Sequence, residues 1–267
     1  MTWLRRFVEA TLVEPVPRDH RQPDHMFRRR RVVSAVTLAV GATLLGFSLA
    51  TEPGDPVFYT LTFALAATWA VGAFVSGPLH VGRVPALWGA GRPARLVGPP
   101  GVAGPLDASR AAGSAGSTVG RWRRPVLEPI LIGLAAVAVF TAGGLIVAQI
   151  PPLRSSVEAV LDHAEYGSLP VIALVTVVNG VAEELFFRGG LYAAIGRRAP
   201  VLLSTGIYAL TTVATGNVML VFAATLLGLL TGLQRRVTGG VLAPMLTHVT
   251  WSLGMLFILP PLMSAFG

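Results

Sequence analysis

Two adjacent glutamates and an arginine lie inside a mostly apolar stretch of the sequence. Glu183, Glu184 and Arg188 all fall within residues 169–195. An ionisable group at the centre of a membrane costs about 3 kcal/mol or more, and such groups mostly mark functional sites. The two carboxylates therefore predict a site for acid–base chemistry, with proton or ion transport as the alternative.

The spacing of these groups assigns different tasks to the two glutamates. On a helix, Glu184 and Arg188 lie four residues apart on one face, where they can form an ion pair. Glu183 lies about 100° further round, on a face shared with Asn179 and Phe187. We therefore expect Glu184 to be paired with Arg188, which leaves Glu183 free for chemistry.

The composition is that of a membrane protein. Of the 267 residues, 53% are hydrophobic and 13% are charged, and the mean hydropathy is +0.65. Soluble domains carry about 25% charged residues. We therefore predict an all-α, polytopic membrane helical bundle. The chain has no cysteine, which excludes disulfides and thiolate metal sites.

About seven apolar runs are expected to cross the membrane, the fifth being the shortest. They cover residues 32–50, 57–76, 126–150, 168–195, 201–213, 218–233 and 241–259. A re-entrant pair formed by the fifth and sixth runs is the alternative. The net charge of +8 does not indicate nucleic acid, because the arginines cluster beside apolar runs. Their alternation places the N-terminus in the cytoplasm and the C-terminus outside.

The same pattern divides the chain into four parts. Residues 1–31 form a basic cytoplasmic segment, in which residues 2–12 are expected to lie on the membrane surface as an amphipathic helix. Residues 32–76 form a pair of spans, and residues 77–124 form a flexible cytoplasmic loop rich in Arg, Gly and Pro. Residues 125–267 form the transmembrane core, with an amphipathic outer helix over residues 154–166. The loop marks either a module boundary or a connection within one bundle.

Three different spans place polar side chains at one depth. At about 1.5 Å per residue, Glu183, Thr212 and His248 each lie roughly 20 Å from the cytoplasmic edge. A common depth predicts a common site. For Thr212 or His248 alone, interhelical hydrogen bonding is the alternative.

This pattern resembles the CPBP family, which contains type II CAAX prenyl proteases and bacteriocin-processing and bacteriocin-immunity membrane proteins. The family core has Glu-Glu-x-x-x-Arg on one span, Phe-x-x-x-His on the next, and His-x-x-x-Asn/Asp on a later one. The chain is similar over residues 168–259. The matching positions are Glu183, Glu184 and Arg188 in the first motif, Tyr208 and Thr212 at the Phe and His places of the second, and His248 and Ser252 in the third.

The resemblance implies an intramembrane endopeptidase that uses a glutamate to activate water. Glu183 would be the base, and His248 with Ser252 would stabilise the oxyanion. Thr212 stands where the family has histidine, and it can hydrogen-bond a water but cannot take up a proton as histidine does. Adjacent glutamates diverge by about 100° on a helix, so we expect neither zinc nor another cofactor.

Three function classes remain open at this point. The first is a peptidase acting on a peptide or membrane protein. The second is a catalytically silent relative that serves as an adaptor or immunity-type partner subunit in a larger complex. The third is a transporter, which would show inverted repeats, and none is visible. In each case we expect a multi-pass protein of the bacterial inner (plasma) membrane, in contact with the lipid bilayer.

Overall fold

The computed structural model describes residues 3–16, 23–85, 122–166 and 168–265. In chain order the helices are α1 (Trp3–Val8), α2 (Asp24–Leu49), α3 (Pro56–Ser76), α4 (Leu127–Val147), α5 (Pro151–Glu165), α6 (Leu169–Ile195), α7 (Pro200–Thr212), α8 (Val218–Thr238) and α9 (Leu242–Ala265). A short antiparallel pair joins β1 (Val84–Pro85) to β2 (Trp122–Arg123). The predicted all-α helical bundle is confirmed.

Six of these helices are long and apolar enough to cross a membrane: α2, α3, α4, α6, α8 and α9. The prediction of a multi-pass membrane protein is therefore confirmed. The fifth predicted span is α7, with 13 residues, followed by a 3₁₀ turn at Val213–Thr215. At about 1.5 Å per residue α7 reaches roughly 20 Å, which is shorter than a bilayer core of about 30 Å. The sidedness of the chain stays a prediction.

Helix α2 begins at Asp24 rather than at residue 32, so the arginine run at 28–31 is helical. Arg29 donates a hydrogen bond to the Val75 carbonyl (3.1 Å), and Arg30 donates to the Pro78 carbonyl (3.1 Å). Arg31 donates to the Ala194 carbonyl (3.2 Å). Carbonyls at helix C-termini have no partner within their own helix and favour cations. The side chains of the basic run therefore form hydrogen bonds with backbone carbonyls at or just beyond the C-terminal ends of α3 and α6.

Small residues bring α2 and α3 together. A Cβ atom on Gly41 would overlap the Trp69 ring, and one on Gly72 would overlap Thr37. Glycines at such positions allow helix backbones to approach closely in membranes. The Trp69 ring in turn stacks on Phe186 of α6, with ring centroids 4.9 Å apart. The N-terminal pair of spans is thus part of the same packed core as α6.

Residues 86–121, most of the predicted flexible loop, lie outside the described residues. The segment leading into this region fixes the start of α9. The backbone N–H groups of Val241 and Leu242 donate to the carbonyls of His80 (2.9 Å) and Val81 (3.1 Å). Those contacts satisfy two N–H groups that a helix start otherwise leaves without partners.

The amphipathic helix predicted at residues 154–166 is α5, which begins at Pro151. The N-terminal helix α1 continues as a π-helix over Glu9–Val13, which packs against α8. The Val16 N–H donates to the Val237 carbonyl at 2.9 Å. The N-terminal segment is therefore held against the bundle at the end of α8.

Candidate functional site

The two glutamates lie where α6 changes its winding. The α-helical part ends at Glu184, a π-helix covers Leu185–Leu191, and a last α-helical turn follows at Tyr192–Ile195. Short π-helical segments occur frequently at functional sites. Hydrophobic periodicity does not distinguish a short π-helical segment from the α-helix around it, so the sequence did not predict the π-helix in α6. The whole π-helical stretch from Phe186 to Leu191 is buried.

Glu184 is completely buried and connects two helices. Its Oε1 atom lies 3.1 Å from Arg188 Nη1 and 2.9 Å from His248 Nδ1 on α9. The contact with Arg188 has the spacing expected from the sequence. The contact with His248 was not expected, because the resemblance placed that histidine with Ser252 at the oxyanion. A carboxylate on Nδ1 orients an imidazole and favours a proton on that nitrogen.

Arg188 is also completely buried and lies between α6, α7 and α8. Its guanidinium carbon is 4.8 Å from the centre of the Tyr208 ring. A Cβ atom on Gly228 of α8 would come within 3.1 Å of Arg188 Nη2. Arg235 donates to the Arg188 backbone carbonyl at 2.6 Å. Residues of α7 and α8 therefore surround Arg188, whose Nη1 atom faces Glu184.

Glu183 is half-buried and meets α7 through a phenol. The Tyr208 hydroxyl donates a hydrogen bond of 2.5 Å to Glu183 Oε2. The other carboxylate oxygen, Oε1, accepts no hydrogen bond from the described residues. Glu183 is also within electrostatic range of His248, Glu184 and Arg188. Tyr208 therefore holds one oxygen of the Glu183 carboxylate, and no described residue donates a hydrogen bond to the other.

Thr212, which the sequence placed opposite Glu183, has a different partner. It is buried, and its hydroxyl donates to the backbone carbonyl of Tyr208 at 2.9 Å, one turn earlier in α7. Threonine hydroxyls in helices commonly bond the carbonyl four residues back. The longer side chain of Tyr208 reaches Glu183 instead, so the hydrogen bond to the glutamate comes from the position that is Phe in the family motif.

The two remaining predicted site residues flank this centre. Ser252 is half-buried one turn beyond His248, and its hydroxyl has no hydrogen-bond partner in the described part of the chain. Asn179 lies one turn before Glu183 and donates from Nδ2 to the Val175 carbonyl at 3.0 Å. The Asn179 Oδ1 atom is buried without a partner among the described residues. The roles predicted for both residues stay predictions.

Two residues near the centre were missed by sequence reasoning. Arg235 was assigned to a cytoplasmic flank, yet it is buried and lies 5.1 Å from the Tyr192 ring centre. Trp251 follows His248 by three residues, with ring centroids 6.2 Å apart. That spacing was a usable signal for a shared helix face. Among the described residues, no group of three or more His, Cys, Asp or Glu side chains could hold a metal ion.

Residues 165–254 match the family model described as type II CAAX prenyl endopeptidase Rce1-like. The match covers about a third of the chain and contains every residue of the candidate site. No curated protein and no solved structure matches the chain. The resemblance inferred from the motifs is therefore confirmed: the protein is a multi-pass membrane protein, and its residues 165–254 are similar to this family.

Proposed function

We propose that the protein is an intramembrane endopeptidase in which Glu183 activates a water molecule for attack on a peptide bond. The observation that carries this proposal is the arrangement of the two glutamates. Tyr208 holds one oxygen of Glu183, while Glu184 binds both Arg188 and His248. One carboxylate thus orients the site, and the other keeps an oxygen for a water.

The chemistry needs one proton to move twice. The water oxygen attacks the scissile carbonyl carbon while its proton passes to Glu183 Oε1. In its imidazolium form, His248 donates from Nδ1 to Glu184 and from Nε2 to the oxyanion, and preorganised donors of this kind are worth about 10²–10³ in rate. When the carbon–nitrogen bond breaks, the leaving nitrogen takes the proton from Glu183. The substrate class is a peptide segment that enters the membrane or lies at its surface.

A catalytically silent scaffold is the second candidate, and Thr212 is the observation that favours it. Its hydroxyl is engaged with the Tyr208 carbonyl, and no proton-accepting side chain stands at this position. The loss of a general acid–base partner costs about 10²–10⁴-fold in rate. A protein of this kind would bind a partner subunit or a membrane peptide without cleaving it.

One experiment separates the two candidates. The purified protein is reconstituted in liposomes with membrane proteins from a bacterial host, and new peptide N-termini are mapped by mass spectrometry. The peptidase proposal expects cleavage by the wild type that is lost in Glu183→Gln and kept in the remote variant Glu158→Gln. The scaffold candidate expects no cleavage by the wild type, with cleavage appearing in Thr212→His. Cleavage that persists in Glu183→Gln contradicts the role of Glu183.

A further inference from the structure

We propose that Tyr208 positions Glu183 in a site where Thr212 stands in place of the second-motif histidine. This inference rests on the proposed peptidase function and adds a role to a residue that the motif alone marks as a packing position. The geometry that points to it is the hydrogen bond of 2.5 Å from the Tyr208 hydroxyl to Glu183 Oε2.

The Tyr208 ring packs against two neighbouring residues of α6. Its centroid lies 4.6 Å from that of Phe187 and 4.8 Å from the guanidinium carbon of Arg188. Tyr208 is only 8% exposed. Because packing fixes the orientation of the Tyr208 ring, it also fixes the position of the hydroxyl. The hydroxyl therefore donates to Glu183 Oε2.

The two residues at which the chain departs from the second motif lie close together. Tyr208 and Thr212 are four residues apart in α7, so they lie on one face of that helix. A histidine at position 212 would bring a donor to this face, and the threonine there has its hydroxyl bound to a backbone carbonyl. A phenylalanine at position 208 would fill the same packing space without a donor. The Tyr208 hydroxyl therefore supplies the hydrogen-bond donor that is lost where Thr212 replaces histidine.

The proposed part of Tyr208 in the reaction is to hold Glu183 without giving up its own proton. Its hydroxyl keeps donating to Oε2 throughout, so Oε1 stays directed at the water. The proton from the water goes to Oε1 as the new carbon–oxygen bond forms, and it leaves with the amine when the carbon–nitrogen bond breaks. Tyr208 acts through Glu183 and is a positioning residue.

The first test uses the cleavage kinetics of the reconstituted protein. In Tyr208→Phe we expect kcat to fall by about 10²-fold, because a misplacement of about 1 Å in a catalytic group costs this much in rate, with KM nearly unchanged. The control Tyr166→Phe removes an exposed hydroxyl (71% exposed) and is expected to cleave like the wild type. In the double variant Tyr208→Phe/Thr212→His, which carries the Phe and His of the family's second motif, we expect kcat to recover. An unchanged kcat in Tyr208→Phe would overturn the inference.

The second test does not depend on activity. Thermal unfolding in detergent is compared for the wild type, Glu183→Ala, Tyr208→Phe and the double variant Glu183→Ala/Tyr208→Phe, because alanine at position 183 cannot accept the hydrogen bond from Tyr208. A hydrogen-bonded pair predicts that the double variant loses less stability than the sum of the single variants. Additive losses would overturn the inference whatever the kinetics show. If the losses of the variants are coupled but the wild type cleaves nothing, the proposed peptidase function is overturned, and with it the positioning role of Tyr208 in the reaction, while the hydrogen-bonded pair stands.

Discussion

His248 Nδ1 on α9 lies 2.9 Å from Glu184 Oε1 on α6, and the same oxygen faces Arg188 Nη1 at 3.1 Å. The buried Glu184 carboxylate therefore contacts both the Arg188 guanidinium and the His248 imidazole. The contact also fixes α6 against α9, because each side chain comes from a different helix. A Cβ atom on Gly180 would come within 3.6 Å of the His248 ring, so the two helices are close beside this contact as well.

Removing Glu184 is expected to destabilise the protein strongly. Glu184→Ala leaves the fully buried guanidinium of Arg188 without its carboxylate, and breaking a buried pair in this way costs about 3–5 kcal/mol. The measurement is the free energy of unfolding in detergent. Glu158→Gln is the matched control, because its ion pair with Arg154 (2.6 Å) is solvent-accessible and worth at most about 1 kcal/mol. Equal losses in the two variants would contradict the structural role of Glu184.

Removing the Thr212 hydroxyl is expected to leave cleavage nearly intact. Thr212→Val keeps the shape of the side chain and deletes a hydroxyl that donates to the Tyr208 carbonyl. We expect kcat to stay within about tenfold of the wild type, short of the 10²–10⁴-fold loss that follows removal of an acid–base group. Thr231→Val is the matched control, since its buried hydroxyl makes the same kind of bond to the Leu227 carbonyl. A larger loss in Thr212→Val alone would show that the hydroxyl acts in the site.

Two glycine variants test the packing of the first two spans. Gly41→Ala would force a methyl group into the Trp69 ring, and overpacking of this kind costs about 1–3 kcal/mol. Gly143→Ala in α4 meets no neighbour within 4 Å and is expected to stabilise its helix by about 0.5–1 kcal/mol. Thermal unfolding in detergent compares the two. A Gly41→Ala variant as stable as the wild type would contradict the close approach of α2 and α3.

Much of the fold could be predicted from the sequence, because long apolar runs and their lengths determine helices in a membrane. The pairing of Glu184 with Arg188 follows from helical spacing alone, since both residues lie on one helix. The start of α2 was harder to predict from the sequence. Arg28 to Arg31 look like a flank in the sequence, and the bonds that Arg29 and Arg31 make to carbonyls of α3 and α6 depend on contacts between helices.

The candidate site was harder to predict where it depends on contacts between helices. Depth along each span placed Glu183, Thr212 and His248 in one layer, but depth does not state which side chain reaches which. Tyr208 reaches Glu183 because its side chain is long, and the hydroxyl of Thr212 is satisfied within its own helix. Likewise, the partner of His248 depends on the packing of α9 against α6, which no periodicity reports.

The central claim is that Glu183 is the base, and single-turnover cleavage of a peptide identified in the liposome experiment tests it most directly. Glu183→Gln keeps the size of the side chain and an oxygen that can accept from Tyr208, but it cannot take a proton from water. We predict a cleavage rate at least about 10²-fold below that of the wild type, with the thermal unfolding transition retained. A folded Glu183→Gln variant that cleaves at the wild-type rate would contradict the account.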